Sequence, residues 1–245
     1  MVATEPTDGI VRCSDLRKQY GEGPTAVEAL RDVTLSFPRG ELTAIVGPSG
    51  SGKSTLMHVL AGLDHPTSGQ VWIDGQEVTG LDDRGLTQLR RDKLGFVFQF
   101  FNLVPVLTAE ENIALPVRIA GRHPDEELLE SLLNTIGLSG RRAHRPAELS
   151  GGAQQRIAIA RALISRPAVV FADEPTGNLD SRAEADVLDL LRGSVDDLGQ
   201  TVIVVTHDPR VAARAHRIVA LIDGRVSHQG EVGSPEDVAE LMREA

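Results

Sequence analysis

Nine residues, Gly47-Pro48-Ser49-Gly50-Ser51-Gly52-Lys53-Ser54-Thr55, constrain this chain more than any other stretch. They follow an apolar run, Leu42 to Val46, and open a helix-like run, Lys53 to Ala61, so the order is strand, loop, helix. Glycines permit sharp turns with positive φ, which bring successive backbone N–H groups inward where phosphate oxygens can accept them. The start of the following helix adds roughly half a positive charge at the same place. Lys53 is placed to reach the β- and γ-phosphates of a nucleotide, and Ser54 offers a hydroxyl to Mg²⁺. Gly47, Ser49, Gly50, Ser51, Gly52 and Thr55 complete the cradle. An accidental glycine-rich turn would have the same local spelling, and the rest of the chain decides between the two.

Around this loop the chain reads as α/β. Residues 10–40 carry short β-like runs, among them Val33 to Phe37, with Pro38-Arg39-Gly40 as a turn. Gly69 to Ile73 and Gln76 to Val78 flank Asp74-Gly75, a two-residue hairpin signal, so the N-terminal part reads as antiparallel. Gly95 to Gln99 is a further strand. Beyond it, from Thr108 to Ser165, the pattern turns helical: Leu128, Leu129, Leu132, Leu133 and Ile136 fall on one helical face, with Gly137 at the stop. The continuous apolar runs Val169 to Ala172, Val202 to Val205 and Ile218 to Ile222 alternate with helices, as strands covered on both faces require, and extend a parallel sheet. Ser234-Pro235-Glu236-Asp237 caps a last helix.

The phosphate loop after Val46, Gln99, Asp173-Glu174 and His207 all lie at the carboxyl ends of expected parallel strands. Ligands bind at that edge of open α/β sheets. Asp173 closes its strand where a carboxylate can hold Mg²⁺, and Glu174 is placed to orient or deprotonate an attacking water. An acidic turn capping a strand is the plainer reading of that pair. Leu149-Ser150-Gly151-Gly152 precedes a helix: the Ser150 hydroxyl and the unshielded N–H groups of Gly151 and Gly152 form a second phosphate-binding device.

These elements, taken in order with Asn178-Leu179-Asp180, resemble an ATP-binding cassette (ABC) ATPase over nearly the whole chain, from about Ile10 to Gly230. The segments Phe98 to Pro105, Glu111 to Pro116 and Ala172 to Asp180 are similar to the lipoprotein-release and macrolide-exporter group (LolD and MacB) and to the division-associated FtsE ATPases. The resemblance implies a P-loop NTPase fold with a RecA-like core sheet, an N-terminal antiparallel β subdomain and a helical subdomain. It divides a single domain, 1–245, into antiparallel β and the first part of the core (10–98), the helical subdomain with its signature (about 100–165), the rest of the core (166–230) and a C-terminal helix (231–245).

It further implies a head-to-tail dimer, with itself or a homologous cassette, in which Ser150 and Gly152 of one subunit cover the γ-phosphate held by Lys53 of the other. Tyr20 would stack on adenine, Gln99 would sense Mg²⁺ and the water, Asp180 would link the two sites and His207 would contact the γ-phosphate. ATP is the implied substrate and Mg²⁺ the implied cofactor. Tyr20 also reads as a packed loop aromatic and His207 as a surface histidine at a helix start, and Phe100 and Phe101 divide between core and a groove meeting a membrane subunit. Ala153 departs from the family, which usually has a polar residue there. The implied partner is an integral membrane permease of the FtsX or MacB kind, driven for export or lipoprotein extrusion. Signalling to an extracytoplasmic cell-wall hydrolase and solute import are the alternatives.

Composition limits the remainder. A formal charge of −10 opposes a general grip on nucleic acid or anionic lipid. Cys13 is alone, so no internal disulfide forms, and a reducing compartment is expected. Met1 to Gly9 lacks the basic and apolar regions of a signal peptide, and no apolar run approaches the roughly 18 residues that span a bilayer. The expected location is cytoplasmic, on the inner face of the membrane through the permease.

Overall fold

The computed structural model describes residues 9–243; the polar stretch read for a signal peptide falls almost entirely outside them. In chain order the elements are β1 (Val11–Tyr20), β2 (Val27–Phe37), β3 (Leu42–Val46), α1 (Lys53–Leu60), β4 (Ser68–Ile73), β5 (Gln76–Glu77), α2 (Asp83–Lys93) and β6 (Leu94–Val97). Then follow α3 (Ala109–Ile119), α4 (Glu126–Thr135), α5 (Gly151–Leu163), β7 (Val169–Asp173), α6 (Ser181–Asp196), β8 (Val202–Val205), α7 (Pro209–Ala212), β9 (Arg217–Ile222), β10 (Arg225–Glu231) and α8 (Pro235–Arg243).

Two sheets result. The first is antiparallel in the order β2-β1-β4-β5, and its two long strands replace the short runs expected in residues 10–40. Its Asp74-Gly75 hairpin has φ of 48° and 77°, the paired positive values that suit the twist of a two-residue turn. Asp74 also ties that turn to the segment before β3 and to the end of α2, accepting from Arg39 at 2.6 Å and Lys93 at 2.9 Å. Cys13 packs inside this sheet, fully buried.

The second sheet runs β10-β9-β3-β8-β7-β6, with β3 parallel to β8 and β9 and β7 parallel to β8 and β6. Its central strands alternate between two cores. Ala44, Val46, Val170, Ala172, Val202 and Val204 join the core beneath α3, α4, α5 and α6, while Ile45, Val169, Phe171, Ile203 and Val205 join Phe37, Leu16 and Leu56 on the side of the antiparallel sheet. A period of two in side-chain direction therefore turns one apolar run into two buried faces.

The helical part is pinned by Asn112. Fully buried in α3, it accepts from Val104 N–H at 2.8 Å and donates to the carbonyls of Val104, Leu107 and Thr108. Leu129, Leu132, Leu133 and Ile136 are buried along α4 as the spacing requires. His216 accepts from Leu42 N–H at 3.0 Å and lies 3.2 Å from Asp196, so it stitches β3 to the end of α6. Two elements were not expected. α2 buries only Leu86 and Leu89, and β10 is an antiparallel edge strand with no fully buried residue; neither carries an apolar repeat. No helix among the described residues is long and apolar enough to cross a membrane.

Candidate functional site

β3 delivers the chain into the glycine loop at the carboxyl edge of the second sheet. Gly47, Gly50 and Gly52 have φ of 146°, 82° and 100°. At two of them the approach is also too close for a side chain: a Cβ on Gly47 would lie 2.1 Å from Leu221 O, and one on Gly52 2.4 Å from Ala29 O. The loop is thus seated between β2 and the turn after β9. Gly52 caps α1 without a side-chain acceptor, so the first-turn amides keep their donors for an outside group. Lys53 Nζ donates to the carbonyls of Gly47 at 2.9 Å and Pro48 at 2.8 Å. Burial lowers its pKa against the pull of Glu174 and Asp173. Ser51 Oγ is buried with no hydrogen-bond partner. Ser49, Gly50, Gly52, Lys53, Ser54 and Thr55 line a cleft of about 630 Å³ together with Glu174 and His207. Uncapped amides, an orphan hydroxyl and a buried ammonium are what a bound polyphosphate satisfies.

The adjacent strands β7 and β8 supply the acids and their partners. Asp173 ends β7 and accepts from Ser54 Oγ at 3.5 Å; burial, chiefly, raises its pKa, while His58, Ser54 and Lys53 work the other way. Glu174 sits at φ 44°, a left-handed conformation uncommon outside glycine, and its N–H donates to Val205 O at 2.9 Å. That backbone turns its carboxylate toward the loop after β8, where one oxygen meets His207 Nδ1 at 2.7 Å and the other accepts from Thr206 Oγ1 at 3.3 Å. Thr206 was not singled out from the sequence, although it immediately precedes His207. Among the described residues no cluster of three or more His, Cys, Asp or Glu could hold a metal by itself. Ser54 and Asp173 do suit an ion of the Mg²⁺ kind, which takes one or two protein oxygens and completes its shell with phosphates and water.

Gln99 lies beyond the end of β6, not on it as expected. Its carbonyl accepts from Asn178 Nδ2 at 3.0 Å, and its side chain abuts Gly177. Tyr20, 43% exposed, borders the cleft without lining it: its hydroxyl donates to Asp64 at 2.7 Å, and the Lys18 ammonium sits 4.7 Å from its ring centre.

The second device is a separate place in the same chain. Ser150 caps α5, its Oγ accepting from Ala153 N–H at 3.4 Å; Asp180 caps α6, accepting from Arg182 and Ala183 N–H. The two helix starts touch, since a Cβ on Gly152 would lie 2.7 Å from that of Ala183. None of Ser150, Gly151, Gly152 and Asp180 lines the phosphate-loop cleft. Ala153 is 2% exposed, so that position faces the core.

Comparison with known proteins agrees with this geometry. The ABC transporter family matches residues 30–177. The lipoprotein-releasing system ATP-binding protein LolD of Idiomarina loihiensis is 47% identical over 220 residues, covering 89% of this chain and 96% of LolD. The macrolide export ATP-binding/permease protein MacB of Marinobacter nauticus is also 47% identical, over 89% of this chain but only 34% of MacB. A dimeric ATP-binding cassette solved in a post-hydrolysis state with ADP and Pi superposes with a TM-score of 0.81 at 43% identity, over 91% of this chain and 99% of that one. With strand, loop, acids and signature in one order, and LolD and the dimeric cassette matched almost end to end, the chain belongs to the ABC transporter ATP-binding family, close to the LolD and MacB cassettes.

Proposed function

We propose that this chain hydrolyses ATP as the cassette of a transporter whose membrane permease is of the MacB or FtsX kind, and that cassette closure drives extrusion of a lipoprotein or another exported substrate. The observation that carries the reading is the convergence of Lys53, Ser54, Glu174 and His207 on one cleft, with Asp173 against Ser54, from three neighbouring strands. LolD, matched over 96% of its length, supports the choice of partner.

Lys53 and the amides of Gly50, Gly52 and Ser54 hold the β- and γ-phosphates, and Thr55 carries the cradle toward the nucleoside. Mg²⁺, with Ser54, Asp173 and Gln99 as its protein-side groups, would neutralise charge on the phosphates. Glu174 orients and deprotonates the attacking water, and His207 steadies Glu174 in that position and meets the γ-phosphate. Most of the rate then comes from positioning and electrostatics. Tyr20, beside Thr55, serves the adenine ring.

Ser150, Gly151, Gly152 and Asp180 lie apart from their own cleft, which supports a head-to-tail dimer whose second copy brings them to the nucleotide. The solved relative is dimeric. ATP favours the closed dimer because it contacts both halves only there, and hydrolysis removes that bias. The cassette sits at the cytoplasmic face of the membrane through its permease. Phe100, 73% exposed, and Ile119, 74% exposed, beside a groove lined by Phe96 and Phe98, offer a surface for it.

Glu174→Gln tests the assignment. Gln keeps an acceptor for His207 and Thr206, so ATP binding and an ATP-dependent dimer on gel filtration should remain. Phosphate release should fall by roughly 10² to 10⁴, the usual contribution of a positioned base. Turnover at the wild-type rate would remove Glu174 from the role, and purification of the trapped dimer from native membranes identifies the permease.

A further inference from the structure

The turn that carries Gln99 is held by side chains from outside it. Gln155 of α5, fully buried, donates from Nε2 to Pro175 O at 2.6 Å and to Phe98 O at 3.4 Å. Asn178 donates to Gln99 O. Arg161, farther along α5, donates from Nη2 to Phe101 O at 2.8 Å and from Nη1 to Asn102 O at 2.6 Å. Carbonyls that an exposed loop would leave to water are instead taken up on both sides of Gln99.

The two residues that Arg161 grips are both left-handed, with φ of 48° at Phe101 and 51° at Asn102. For a phenylalanine that backbone is strained and persists only where its surroundings impose it. A guanidinium suits the task, since its planar fork presents parallel donors to two neighbouring carbonyls. Burial raises the cost of holding a charge there, and among the described residues the guanidinium donates to these two carbonyls. The grip also reaches the signature: the Phe101 ring lies over Gly151, where an added Cβ would meet Phe101 Cζ at 3.6 Å. Phe100, next in the turn, faces outward.

We infer that Arg161 is a positioning residue that splints the Phe98–Asn102 turn to α5, so that Gln99 and the signature at the start of that helix move as one body. A displacement imposed on Phe100 at the surface is then delivered to both at once. The kinetic consequence rests on the ATPase reading; the splint itself does not.

The test compares Arg161→Gln and Arg161→Lys with wild type in the full chain, by amide hydrogen exchange without nucleotide and by steady-state ATPase kinetics. For Arg161→Gln, residues 98–103 should exchange at least tenfold faster while β7 and β8 exchange as before. Its kcat should fall roughly tenfold or more, as small misplacements of a reacting group do, with KM for ATP within twofold because Lys53 and the loop are untouched. Arg161→Lys, which keeps the charge but loses the fork, should fall between and serves if the Gln variant does not fold. Unchanged exchange at 98–103, faster exchange spread evenly over all elements, or a loosened turn with wild-type kcat would each overturn the proposal. If the wild-type chain released no phosphate from ATP, the ATPase reading would fail while the exchange result still decided the splint.

Discussion

The seat of the glycine loop sets up a comparison between two alanine substitutions a few residues apart. A Cβ on Gly47 would lie 2.1 Å from the backbone oxygen of Leu221 and 2.9 Å from Ser51 Oγ, at φ 146°. An ordinary carbon–oxygen contact needs about 3.3 Å, so either the loop or the end of β9 must move by roughly 1 Å. The neighbouring strands are paired, Val46 with Ala220, and Leu221 is fully buried, so neither yields freely. Gly50 at φ 82° has nothing within 4 Å of an added Cβ. Gly50→Ala therefore carries only the backbone term, about 1–3 kcal/mol, whereas Gly47→Ala adds overpacking of about 1–3 kcal/mol. At about 2–4 °C per kcal/mol for a chain of this size, Gly47→Ala should melt below Gly50→Ala by roughly 2–12 °C. It should also lose nucleotide affinity, because the displaced loop is the one proposed to hold the phosphates. Thermal melts and a fluorescent-nucleotide titration of both variants check this. Equal melting temperatures, or Gly47→Ala binding nucleotide like wild type, would refute the steric argument.

Two further predictions concern stability. Asn112→Ala strands the half-buried Val104 N–H and the Leu107 carbonyl, while the Val104 and Thr108 carbonyls keep backbone donors; with unpaired groups costing about 1–3 kcal/mol each, urea denaturation should show a loss of roughly 2 kcal/mol or more. The Lys93 hydrogen bond, above all, holds the Asp74 carboxyl below the usual carboxylate range, with Arg39 assisting against burial. Because the folded pKa is the lower one, this contribution is fully present above the unfolded value near 3.9 and is lost as pH falls from there through the folded pKa. Asp74→Asn, whose side chain tolerates the same positive φ, should melt slightly lower at pH 7 and show a flatter decline as pH falls below about 4.

What was legible in the residues was local. Leu42 to Thr55 spell strand, loop and helix because burial on both faces, glycine torsions and a helix start each leave a mark over a few neighbouring positions. Asp74-Gly75 marks its own turn, and the α4 leucines their own face. α2 and β10 left no such mark, since an exposed helix and an edge strand are held by what they lie against and need few apolar residues of their own. Strand ends and a helix start singled out Gln99, His207 and Ser150, and the resemblance added Asp180, but only the tertiary structure sorted them. His207 falls against Glu174 because β7 and β8 are adjacent and parallel, and Thr206 comes with it. Ser150 and Asp180 cap two touching helices away from the cleft, and Gln99 rides on a turn gripped by Arg161 from a distant helix. Short-range order is written in neighbouring side chains, whereas these contacts join residues tens of positions apart, which only the closed packing of sheet and helices brings together.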